Sequence, residues 1–132
     1  MTKNRVFEIK FEPGLPILSA NDHRSHWTKR AKIAKLWREA AKAEAEWRGI
    51  PHLAKVEITL WLYPRDNRRR DASNFLYFTS KFVVDGLVDA KVLSDDNDKI
   101  VKGLHLLPGE YCVKNGQVVL EIKEVDLCGD SV

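Results

Sequence analysis

The residues best suited to chemistry lie between Arg68 and Asp98. Arg68, Arg69 and Arg70 abut Asp71, with Ser73 and Asn74 just behind; Lys81 and Asp85 follow, and Asp95, Asp96 and Asp98 crowd one short stretch. Adjacent carboxylates repel and raise one another's pKa unless a cation compensates them. A hard divalent ion with oxygen ligands, Mg²⁺ above all, is the natural compensator. Arginines beside such a group can clamp a phosphate backbone. Carboxylates, a divalent cation, a lysine and flanking arginines are together equipped for phosphodiester hydrolysis. A plainer reading stands beside this one: Asp71 or Ser73 caps a helix, Asn74 is solvated, Lys81 and Asp85 form a surface pair, and Ser94–Asp98 is an exposed acidic turn. The turn is not an EF-hand loop, because Lys99 and Ile100 break that pattern.

These groups need a helix to align them. Asp71, Asn74, Phe78, Lys81 and Asp85 recur at alternating spacings of three and four, which sets them on one stripe. Leu76, Ser80, Val83 and Leu87 form a second stripe, expected to face a sheet. The helix is predicted from roughly Ser73 to Asp89.

Around it, RVFEIKFE (5–12) alternates as a half-buried strand, and PGLPILSAND (13–22) reads as a loop. A long amphipathic helix is expected from Trp27 to Arg48, stopped by Gly49 and Pro51, with Trp37 and Trp47 as core or dimer residues. KVEITLWLYP (55–64) is a second strand, leading into the basic turn RDNRRR. Strands over 99–108 and 117–125, joined by a turn with an Asn-Gly signal, complete the order β-α-β-α-β-β. The expectation is one α+β domain with a mixed or antiparallel sheet packed by two helices, frayed after about Glu124. Periodicity leaves open whether the first helix is a crossover or joins antiparallel strands.

Charge is divided along the chain. Residues 1–70 carry 16 Lys/Arg against 8 Asp/Glu, and residues 71–132 carry 6 against 11, so a half at +8 precedes a half at −5. Such a split suits a protein that attracts a polyanion and holds cations among carboxylates. Phosphate contacts are expected from Arg24 ahead of the first helix, from Lys29 and Arg30 at its start, and from Arg65, Arg68, Arg69 and Arg70 ahead of the second. His23 and His26 have no third ligand spaced to join them. Cys112 and Cys128 show no metal or redox spacing and read as ordinary thiols. No apolar run reaches the roughly 18 residues of a membrane span, so a soluble, cytoplasmic protein is expected.

The segment RRRDASNFLYFTSKFVVDGLVDAKVLSDDND resembles the signature of the RusA family of Holliday-junction resolvases: Arg-rich, D-x-D-N, K-x-x-x-D-x-L, then an Asp-Asp pair. The matching positions are Asp71, Ser73, Asn74, Lys81, Asp85, Leu87, Asp95 and Asp96. The likeness is strongest over residues 64–101. It implies a homodimeric, Mg²⁺-dependent endonuclease, with Mn²⁺ as a substitute, that nicks four-way DNA junctions symmetrically. Asp71 and Asp96 would be metal ligands, Lys81 the phosphate-stabilising cation, and Asp85 and Asp95 supporting or additional ligands. Ser73 departs from the pattern, since it replaces a carboxylate. About one extra helical turn also separates Asn74 from Lys81, which moves the lysine roughly 6 Å along the axis. Two alternatives remain: a branched-DNA-binding protein of this fold with weakened or no activity, and an α+β interaction module whose acidic turn is merely solvated.

Overall fold

The structure is a computed structural model and describes residues 4–19, 27–68 and 70–125. The elements follow in the order β1 (Val6–Lys10), α1 (Trp27–Trp47), β2 (Val56–Tyr63), α2 (Ala72–Asp89), β3 (Val101–Pro108) and β4 (Gln117–Glu124). This is the expected β-α-β-α-β-β domain. The four strands form one mixed sheet in the order β1-β4-β2-β3.

β4 is antiparallel to both β1 and β2, so β1 and β2 run the same way with β4 between them, and α1 is a crossover. β3 lies parallel to β2 and forms an edge. Parallel neighbours need a connection that returns the chain to the starting end, and α2 supplies it. Among the described residues, no helix is long and apolar enough to cross a membrane.

Strand alternation sorts the side chains. Val56, Ile58, Leu60 and Leu62 on β2 are buried, and Ile58 and Leu60 pair with Ile122 and Leu120 of β4. On β3 the register shifts, with Val56 opposite Val101 but Glu57 opposite Gly103, leaving Lys102 as the extra residue of a bulge. The shift resets the alternation, so that Val101, Leu104, Leu106 and Pro108 all pair with the buried set of β2.

Both helices cover this one face. On α1 the buried residues are Ile33, Trp37, Ala41 and Ala45, a stripe at intervals of four. Trp37 packs edge-on against Phe11, with ring centroids 5.1 Å apart, and its indole N–H donates to the Pro16 carbonyl at 2.7 Å. Trp47, by contrast, is 86% exposed and belongs to no core, because it falls off that stripe. On α2 the stripe Leu76, Ser80, Val83 and Leu87 is buried as the periodicity predicts. Phe75, Phe78 and Phe82 pack at its margin.

The helices run side by side in the same direction: Arg30 of α1 lies over the Phe78 ring of α2, while Arg38 pairs with Asp89. At the far edge Arg5 donates twice to the Glu124 carboxylate, at 3.1 and 2.9 Å, and ties β1 to the end of β4. Helix contact is closest at Gly86, where an added methyl group would lie 2.4 Å from the Arg38 carbonyl oxygen and 2.7 Å from Ala41 Cβ. Gly86→Ala gains about 1 kcal/mol of helix propensity. Overpacking against backbone costs about 1–3 kcal/mol, and so short an approach belongs at the upper end. Urea denaturation should show a net loss of about 1–2 kcal/mol; a stabilised variant would refute this account of the helix contact.

Candidate functional site

The candidate residues gather at two ends of α2. Asp71 is the N-cap: its Oδ1 accepts from the Ser73 backbone N–H at 3.1 Å and from the Ser73 hydroxyl at 2.6 Å. Ser73 therefore supports the cap, and Asp71 provides it. The Ser73 hydroxyl bond, then the backbone bond, hold the Asp71 carboxyl below its usual range. Where a second carboxylate would repel Asp71, Ser73 stabilises its ionised form. A shallow hollow here joins Asp71 and Ser73 to Leu106 and Pro108 at the end of β3.

The arginines next to this cap are organised by Asp66, which lies outside the helical stripe. Asp66 accepts from the Arg68 backbone N–H at 3.0 Å and from the Arg70 guanidinium at 2.7 Å. The Arg68 backbone bond, followed by that of Arg70, depresses the Asp66 pKa. Arg70 also donates to the Asp66 and Arg68 carbonyls and is largely covered, whereas Arg65 and Arg68 project into solvent. The local signal was an aspartate two residues before Arg68, the spacing of an Asx-turn.

The second group lies toward the other end of α2. Lys81, Asp85 and Asp96 line a cleft of about 320 Å³ together with Ser80, Val84, Val101 and Leu104. Burial, opposed by Arg38 and reinforced by the charges of Asp96 and Asp89, pushes the Asp85 carboxyl above its ordinary pKa. Lys81 Nζ lies 4.7 Å from the centroid of the Tyr77 ring. Arg38 from α1 grips Asp89 with two bonds, at 2.5 and 2.8 Å, and keeps a guanidinium beside Asp85. No local pattern could reveal that pair, because 51 residues separate its members.

Asp95 is occupied within its own loop. It accepts from the Asp96 backbone N–H at 2.7 Å and from Asn97 Nδ2 at 3.2 Å. The Asp96 backbone bond above all holds its carboxyl below the usual range. Asn97 in turn accepts from the Lys99 N–H at 3.0 Å, and its carbonyl receives the Ile100 and Val101 N–H groups. This winding leads the chain into β3 and leaves Asp96 in the cleft lining.

The two groups do not meet within one chain. Fourteen residues of helix between Asp71 and Asp85 span about 21 Å. The expected combination of Asp71, Lys81 and Asp96 is thus divided: Lys81, Asp85 and Asp96 come together, and Asp71, Ser73, Arg68 and Arg70 come together elsewhere. Asn74 is half-buried on the first turn of α2. Lys29 and Arg30 open α1, where Arg30 is stacked at 5.1 Å over Phe78. Arg24 and Arg69 lie outside the described residues. Among the described residues no three His, Cys, Asp or Glu side chains are grouped to hold a metal ion within one protomer.

No family model matches the chain, and no curated protein matches it.

The raised pKa of Asp85 predicts a pH-dependent effect of its removal. In the unfolded chain an aspartate titrates near 3.8, lower than Asp85 in the folded protein. Folding therefore disfavours the ionised carboxylate; the cost is absent below about pH 3.8 and grows as pH rises through the folded pKa. Asp85→Asn should raise the urea midpoint at pH 7, with the difference shrinking as pH falls toward 3.8. An advantage that persists unchanged at pH 3 would rule this cause out.

Proposed function

We propose that this chain is a Mg²⁺-dependent endodeoxyribonuclease of RusA type for branched DNA, four-way junctions in particular. It acts as a homodimer in which each site joins Asp71 of one protomer to the Lys81–Asp85–Asp96 cleft of its partner. The observation that carries the reading is the position of β3. This edge strand starts beside the Asp96 cleft and ends beside Asp71, and it exposes Leu104 and Leu107. Unpaired edges with apolar side chains invite another strand. If two copies pair their β3 edges antiparallel about a two-fold axis, the start of one strand meets the end of the other. Asp71 then approaches the partner's Asp96 at both ends of the seam, giving two equivalent sites for two symmetric nicks.

The donor set suits the metal. Asp85 is disfavoured as an anion by burial and by Asp96, a condition that a hard cation among these oxygens would relieve. Asp96, Asp85 and the partner's Asp71 would hold it, and it would supply an activated water and charge neutralisation at the scissile phosphate. Asp71 enters this arrangement already ionised, by virtue of Ser73. Lys81 presents an ammonium that stabilises the charge building on phosphate oxygens. Arg65 and Arg68 attract the backbone electrostatically and orient it. Asp95 and Asn97 keep the Asp96 loop in shape, and Arg38 fixes Asp89 behind Asp85.

A synthetic four-way junction with Mg²⁺ tests the activity. Wild type should cut opposed strands, and Asp71→Asn or Asp96→Asn should each lower the rate by about two orders of magnitude, about 2.7 kcal/mol on the barrier. Folded, dimeric wild-type protein that cuts no branched DNA would end the enzyme reading and leave junction binding alone. Subunit mixing tests the shared site. In a reassociated mixture of the two inactive variants, half of the dimers are mixed and each holds one intact site, so about a quarter of the wild-type nicking should return without paired incision. Mixed dimers that remain inactive would exclude a shared site.

A further inference from the structure

At the Asp71 end of the sheet a cavity of about 510 Å³ opens between the 13–17 loop, the end of β2, the start of α2 and the turn before β4. That volume lies within the range of about 300–1,000 Å³ of small-ligand pockets. Its lining has two characters. Leu15, Ile17, Leu62 and Phe75 supply apolar surface, and Arg65, Arg68 and Arg70 supply charge. Asp66 is within 3.6, 4.0 and 2.7 Å of these three guanidiniums respectively, so one carboxylate gathers three cations and leaves a surplus of two. Arg70 uses its donors on Asp66 and on backbone carbonyls. Arg65 and Arg68, 66% and 77% exposed, carry the surplus to solvent.

An apolar recess beside surplus guanidiniums suits a ligand with a flat apolar body and an anionic end. We propose that the cavity receives one unstacked nucleotide of a DNA strand, its base against Phe75, Leu15 and Ile17 and its 5′-phosphate between Arg65 and Arg68. Base–aromatic stacking needs no sequence match, and guanidinium forks fit phosphate. A free phosphate would leave the apolar recess unused. The inference rests on DNA as the substrate, and two further points favour it. Arg70 lines both this cavity and the hollow at Asp71, so a captured nucleotide lies next to the proposed cutting site. Extracting a base costs least where its stacking is already interrupted, as it is where strands exchange at a junction.

Amide chemical shifts of ¹⁵N-labelled protein, titrated with deoxyadenosine 5′-monophosphate, deoxyadenosine or inorganic phosphate, test the proposal. The nucleotide should saturably shift Leu15, Ile17, Phe75 and Gly116 and bind more tightly than either fragment. Arg65→Ala with Arg68→Ala, both exposed, should weaken it at least about tenfold, since the loss of a single charge-assisted hydrogen bond already costs that much. Leu15→Trp, which fills the recess, should abolish it. Shifts confined to the arginines, equal binding of phosphate alone, or undiminished nucleotide binding in the double arginine variant would each overturn the proposal. The titration needs no cleavage: nucleotide binding without junction cutting would sink the nuclease reading and keep the pocket, and cutting without nucleotide binding would do the reverse.

Discussion

Parallel pairing of β3 with β2 governs where the charged groups of this domain end up. Two parallel neighbours force the chain between them to travel the full length of the sheet, and α2 makes that journey over the apolar side chains of β2. Residues at the two ends of α2 are separated by the length of the helix, whatever their alignment on its surface. The Lys102 bulge then turns Leu104 and Leu106 to the helix side, where Leu104 lines the cleft at Asp96 and Leu106 the hollow at Asp71. Arg38, Gly86 and Asp89 fasten the remaining wall to α1. The arrangement has little freedom, because the short approach at Gly86 and the Arg38–Asp89 pair both fix how the helices sit.

Electrostatics divide along the same axis. At the N-terminus of α2, hydrogen bonds from Ser73 favour an ionised Asp71. At the other end, burial and neighbouring carboxylates oppose ionisation of Asp85, while loop hydrogen bonds favour it at Asp95. Carboxylates that look alike in sequence are thus given different tasks by their surroundings: one caps a helix, one holds a loop, and one is left short of a countercharge.

Much of this was legible before any coordinates. Alternation marked β1, β-branched and aromatic residues marked β2, and helical spacing picked out Ile33 and Trp37 on α1 and Leu76, Ser80, Val83 and Leu87 on α2 as buried. Helical phase also placed Asp71, Lys81 and Asp85 on a common side. Phase carries no information about reach, however, so aligned residues looked like one site although the helix keeps them about 21 Å apart. Of the two places expected for Trp47, core or dimer surface, the core is excluded for a related reason: it is large and apolar, yet it lies off the stripe of Ile33, Trp37, Ala41 and Ala45. Partners distant along the chain, such as Arg38 with Asp89 or the 13–17 loop with Phe75, leave no periodic trace. Strand direction belongs to the same class, since a helix between strands is compatible with several sheet orders.

The clasp between Arg5 and Glu124 has a practical side. It sets the two ends of the described chain side by side at one end of the sheet, on β1 and β4, three and two strand positions away from β3. Strands are spaced about 4.8 Å apart, so roughly 14 Å of sheet lies between β1 and the exposed leucines of β3, and about 10 Å between β4 and β3. A label placed near Arg5 would therefore start from the edge of the sheet opposite β3, whereas one placed near Val125 would start beside Lys55, close to the strand ends that frame the Asp96 cleft.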